Sequence, residues 1–139
     1  MARRLTTQDL RDPNNSWPIE WLRRIARYPH ENDTWLGGTS AVIANGDPPE
    51  SLAPNTRLSC LLAVVETGNL GELRLPDGRH VTFYFLYPLY TEERDLEDEK
   101  GIEHLLRLFH QYEISTVVDV RRLNVARLDG PRRRASDPR

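Results

Sequence analysis

Apolar and polar positions alternate along this chain with two distinct periods, and the periods predict its elements. Trp17, Trp21, Ile25 and Tyr28 recur at spacings of four, four and three. That rhythm puts them on one face of a helix, with Arg23, Arg24 and Arg27 largely outside it. Ser16 is the expected N-cap, Pro18 lies near the first turn where its missing N–H costs little, and Pro29 is expected to end the helix. Thr39 to Ala44 predicts a short strand. Leu58 to Val65 is short and almost continuously apolar, which suits a strand buried on both faces. Pro76-Asp77-Gly78 then supplies a hairpin turn between Leu73-Arg74-Leu75 and a strand from Arg79 to Leu86. Val81, Phe83 and Phe85 alternate there with Thr82, Tyr84 and Leu86, which predicts a mid-sheet strand closed by Pro88.

Thr91 is placed to cap a short acidic helix, Gly101 interrupts it, and Ile102, Leu105, Leu106, Phe109 and Tyr112 form a second apolar helical stripe. The β-branched stretch Ile114 to Val120 predicts a last strand. The expected class is α+β, a mixed, mostly antiparallel β-sheet flanked by helices. Residues 1–16 read as a flexible lead-in, 17–127 as the folded domain, and 128–139 as a disordered Arg-rich tail.

The 139 residues match the usual size of one domain, with no need of disulfides or metals to stand up. A net charge of −2 gives no basic field of the kind that holds nucleic acid or an anionic membrane. All but one of the nineteen basic residues are Arg, which reads as codon bias. No apolar stretch is long enough to span a bilayer, and Arg3-Arg4 precedes no signal-peptide core, so a cytoplasmic protein is expected. Cys60 sits inside an apolar run and reads as a small buried hydrophobe.

Few residues are spaced to converge on chemistry. His30-Glu31-Asn32-Asp33 offers metal or acid–base groups, but it lies in a loop and reads first as a turn bonding its own backbone. His104 and His110 are six apart on one helix and point in different directions, while His80 stands alone on a strand. Ser59 and Ser115 fall in expected strands without a nucleophile elbow, and no glycine loop suits a phosphate. No catalytic residue, cofactor or metal is therefore expected. The turn-rich stretch from His30 to Asn55 reads either as a display loop or as a plain surface connection. Glu92-Glu93-Arg94-Asp95-Leu96-Glu97-Asp98-Glu99 carries six acids in eight residues. It reads either as a solvated helix start or as a patch that steers a basic partner.

An ordered series of short strings resembles the suppressor of fused (SUFU) domain family in its compact bacterial form. It runs through Pro29-His30-Glu31, Thr34-Trp35-Leu36-Gly37-Gly38-Thr39 and Asn45-Gly46-Asp47-Pro48-Pro49. It continues through Asp77-Gly78, Val81-Thr82-Phe83, Pro88-Leu89-Tyr90-Thr91-Glu92-Glu93, Gly101, Val117-Val118-Asp119, Arg121 and Asn124. The resemblance implies an α+β domain without catalytic activity that sequesters a protein. Bacterial relatives are proposed as immunity proteins against toxins, and the animal member restrains a transcription factor. This chain departs from the animal member in lacking a second, C-terminal domain, and from relatives in having Gly38-Thr39-Ser40-Ala41 where a more polar stretch is usual. The expected partner is a protein, a toxin domain with a basic surface. Glu92, Glu93, Asp95, Glu97, Asp98 and Glu99 are its expected contacts, together with His30 and Trp35 from a loop lying nearby. Two other readings stay open: a metal-dependent enzyme on His30, Glu31 and Asp33, and a general scaffold or interaction domain.

Overall fold

The apolar run at the middle of the chain becomes the central strand. In the computed structural model, which describes residues 4–34, 38–65 and 71–130, β2 (Cys60–Val65) lies between β1 (Ser40–Ala44) and β5 (Tyr84–Leu89). Both pairings are antiparallel, with Ala44, Cys60 and Leu89 side by side at one end and Ser40, Val64 and Phe85 at the other. Side chains along a strand alternate between faces. Val42, Cys60, Leu62, Tyr87 and Leu89 therefore meet one layer, while Ile43, Leu61 and Leu86 meet the other. The expected burial of this strand on both faces is what the sheet requires.

The first layer is a pair of helices, α2 (Thr91–Lys100) and α3 (Ile102–Gln111). Leu96, Leu105, Leu108 and Phe109 close on the sheet, and Val125 from the C-terminal segment completes the cluster. Leu62, Leu89 and Leu105 are wholly buried, each worth about 1.5–3 kcal/mol by removal from water. Between the helices Gly101 takes φ +85°, a turn that an L side chain resists.

The second layer is α1 (Pro13–Glu31), whose Trp17 and Ile25 pack with Leu52, Ala53, Leu58 and Leu61. Its ends differ from expectation. Asp12 caps it, its carboxylate accepting from the Asn14 N–H at 2.9 Å, and Pro13 takes the first helical position. Ser16 is inside the helix and donates to Glu20 at 2.8 Å. The helix thus begins within the stretch expected as a lead-in, and it passes Pro29 to end at Glu31. Pro18 removes the N–H that would reach the Asn14 carbonyl. The Asn55 amide donates to that carbonyl instead, at 3.1 Å.

Three more expectations are corrected. The strand after the hairpin is not mid-sheet: β3 (Glu72–Arg74) and β4 (His80–Thr82) form a separate two-stranded ribbon, and β5 is a flank of the main sheet with Pro88 inside it. The chain leaves one for the other at Phe83, whose N–H binds the Gly71 carbonyl at 3.0 Å. The stretch expected as a strand from Ile114 to Val120 is irregular. It pairs with no strand among the described residues, and Thr56 Oγ1 takes its Val120 carbonyl at 2.9 Å. β-branched composition needs a pleated neighbour to become a strand. Ser115 accordingly lies in no strand, and its hydroxyl accepts from the Val117 N–H. Lastly, the expected disordered tail begins with a held residue, since Asp129 binds Lys100 at 2.8 Å and His104 at 2.9 Å. Residues 131–139 lie outside the described ones.

Candidate functional site

The acidic helix starts where the sheet ends, and its third residue anchors it. Glu93 is wholly buried, and its two carboxylate oxygens accept four hydrogen bonds. Oε1 takes Arg122 Nη1 at 2.8 Å and the Val125 N–H at 3.0 Å. Oε2 takes Arg122 Nη2 at 2.5 Å and the Tyr90 N–H at 3.1 Å. Arg122 also donates to the carbonyls of Leu123 (2.8 Å) and Pro88 (2.6 Å). Its guanidinium lies 5.1 Å from the Tyr90 ring centre and 5.2 Å from that of Phe109. The Tyr90 hydroxyl returns a hydrogen bond to the Arg122 carbonyl at 2.6 Å. This network ties α2 to the C-terminal segment, and a charge pair so fully hydrogen-bonded tolerates burial.

Two charged surfaces adjoin the anchor. Glu92, Asp95, Asp98 and Glu99 are exposed and, at spacings of three and four, share one stripe of α2. Glu92 binds Arg127 at 3.0 Å. A hydrogen bond from its own backbone, and then Arg127, hold its carboxyl below the usual range. Asp95 binds the neighbouring Arg94 at 2.7 Å. Next to the stripe opens a hollow of about 550 Å3, lined by Arg57, Arg121, Arg122 and Arg127 with Tyr90, Glu92 and Leu128.

The family model of the suppressor of fused protein (SUFU) matches residues 1–123. The chain belongs to the suppressor of fused family. No curated protein and no solved structure matches it. The ordered strings from Pro29 to Arg121 fall inside the matched stretch, which also takes in the sheet, α1, α2, α3 and the Glu93–Arg122 pair.

Within this SUFU domain the expected contact residues are dispersed. Glu93 is corrected: its carboxylate faces Arg122 and the core, so it presents no charge to a partner. Glu97 is half-buried, and burial, then Asp98, pushes its carboxyl up. His30 is exposed on the last turn of α1, and Trp35 lies outside the described residues. Among the described residues, the loop expected beside the acidic run is linked to it at its far end. There the Asn45 N–H binds the Ser59 carbonyl at 3.0 Å, and Ser59 Oγ lies 2.7 Å from Thr91 Oγ1 at the start of α2. The chain coming from His30 enters β1 at Ser40, the opposite end of that strand, about 13 Å away at ~3.3 Å per residue.

Among the described residues no three His, Cys, Asp or Glu side chains gather as a metal site, and His80 pairs with Glu72 across the ribbon. No helix of the described residues is long and apolar enough to cross a membrane. The arginines of the hollow escaped the sequence reading. Their one signal was the Arg121-Arg122 pair followed by Arg127, and nothing local joins these to Arg57.

Proposed function

We propose that this SUFU domain works by occupancy, sequestering a protein partner in the cytoplasm as an immunity protein neutralises a toxin, and performs no catalysis. The observation that carries the reading is the exposed carboxylate stripe of α2, seated on a buried ion pair. An exposed charge on a rigid base steers an oppositely charged partner and speeds encounter. A domain in which Glu93, Arg122 and Tyr90 lock the helix loses little entropy on docking. The fit is to a basic surface such as that of a nuclease.

The test is association kinetics with the captured partner. Charge reversal at Asp95, Asp98 and Glu99 to Lys is expected to slow association about tenfold at low salt, with a smaller change in dissociation. Equal association rates at low salt for the reversed and native proteins would exclude the stripe from the interface. Immunity has its own readout: co-expression with the toxic partner restores growth, and loss of the stripe weakens that protection.

A further inference from the structure

Beside the acidic stripe lies a surface of the opposite sign. Arg57 comes from the loop before β2, while Arg121, Arg122 and Arg127 come from the C-terminal segment, and all four line one hollow. Its volume of about 550 Å3 falls within the ~300–1,000 Å3 of ligand-binding clefts. Tyr90 and Leu128 give it apolar wall. Guanidinium groups gathered in one place repel one another unless anions answer them. Two are answered by the chain: Arg122 by Glu93 and Arg127 by Glu92. Arg57 and Arg121 are exposed, and among the described residues neither side chain has a partner; Arg121 uses only its backbone N–H, on Asp119.

We infer that the hollow is a docking site for carboxylates of the protein partner, an acidic segment whose side chains bind Arg57 and Arg121. The inference rests on the protein-binding reading and sharpens it. Carboxylate is the favoured chemistry because the chain already places two carboxylates on the adjoining arginines, one of them gripped by both Nη atoms. The planar guanidinium fork matches that group, and an apolar wall strengthens the pairing over open surface. A lone phosphate would fill a small part of the volume, whereas a peptide segment fills it with side chains and backbone. Glu92 belongs both to the stripe and to the rim of the hollow. The partner surface that fits both is an acidic anchor bordered by basic residues.

The probe is hexaglutamate with blocked termini, titrated at low salt into the full chain and followed by backbone amide resonances. Shifts are expected around Arg57 and through residues 121–128. Arg57→Gln with Arg121→Gln is expected to weaken the peptide about tenfold or more. Substituting Arg132, Arg133 and Arg134 by Gln leaves its affinity unchanged. Both hollow substitutions fall on exposed side chains without a partner among the described residues, so the urea midpoint stays where it was. Undiminished peptide binding in the Arg57/Arg121 variant, or shifts confined to residues 132–134, overturns the site. Inorganic phosphate binding the same amides more tightly than the peptide overturns the acidic-segment assignment. A captured partner that binds the Arg57/Arg121 variant as well as the native protein overturns the inference and leaves the protein-binding reading intact. Failure to capture any protein while hexaglutamate still seats in the hollow overturns the reading, and with it the partner assigned to the site.

Discussion

At Glu93 a carboxylate leaves water entirely, and four hydrogen bonds with the Arg122 charge offset the cost. Removing one partner strands the other. Glu93→Ala is expected to lower the stability to urea by about 3–5 kcal/mol, because Arg122 would remain buried without its anion. A loss below about 1 kcal/mol, the value of an exposed pair, would mean that the network does not anchor α2. At Cys60 the same physics runs with burial outweighing the nearby Arg94 charge. Burial is the main cause that pushes its thiol up, so it should resist thiol reagents in the folded protein and react fully in urea. Asp129 runs the other way. Hydrogen bonds from Lys100, then from His104, hold its carboxyl below the usual range. A depressed acid stabilises the fold above its unfolded pKa and loses that contribution as pH falls through the folded one. Asp129→Asn should therefore be destabilising at neutral pH, and pH-dependent melting should show the two proteins converging in acid.

Among the elements, those whose apolar period is satisfied by one continuous packing surface appear where the pattern put them. The α3 stripe through Leu105 and Phe109 and the doubly buried β2 are of this kind. Elements that depend on a neighbour fared worse. Ile114 to Val120 has strand composition, yet its carbonyl at Val120 accepts from a threonine hydroxyl and no ladder forms among the described residues. The helix around Trp17 outran its proline signals because Asp12 starts it and Asn55 satisfies the carbonyl that Pro18 leaves open. Gly101 kept its role as a breaker for a backbone reason. Its φ of +85° with ψ of 164° has open space where a Cβ would stand, so Gly101→Ala meets no neighbouring atom and costs only the backbone strain of a region that side chains avoid. The expected loss is about 1–3 kcal/mol, read from denaturant unfolding, and an unchanged midpoint would mean that the α2–α3 turn rearranges freely.

For the molecule as a whole, the three layers place a helix with an acidic outer stripe beside an arginine-lined hollow, joined at Glu92. A partner meeting both surfaces sees both signs of charge within one patch, which favours register as well as attraction. Steering by the stripe acts through solvent and is screened within about 8 Å at physiological salt. The rate difference between native and Asp95/Asp98/Glu99-reversed protein should consequently shrink as salt rises, and stopped-flow association across a salt series measures it. A difference that persists at high salt would point to direct contact by these side chains rather than steering.

The sequence by itself determined the α+β class, the central strand, the second apolar helix, the break at Gly101 and the family kinship, because each rests on residues near one another in the chain. Only the tertiary structure decided which charges face water. Six carboxylates follow one another with the same chemistry, and the buried one is selected by Arg122, 29 residues further on. Arg57 joins Arg121 in the hollow by the same kind of meeting. Periodicity reports the face on which a side chain lies, and the partner on that face belongs to another part of the chain.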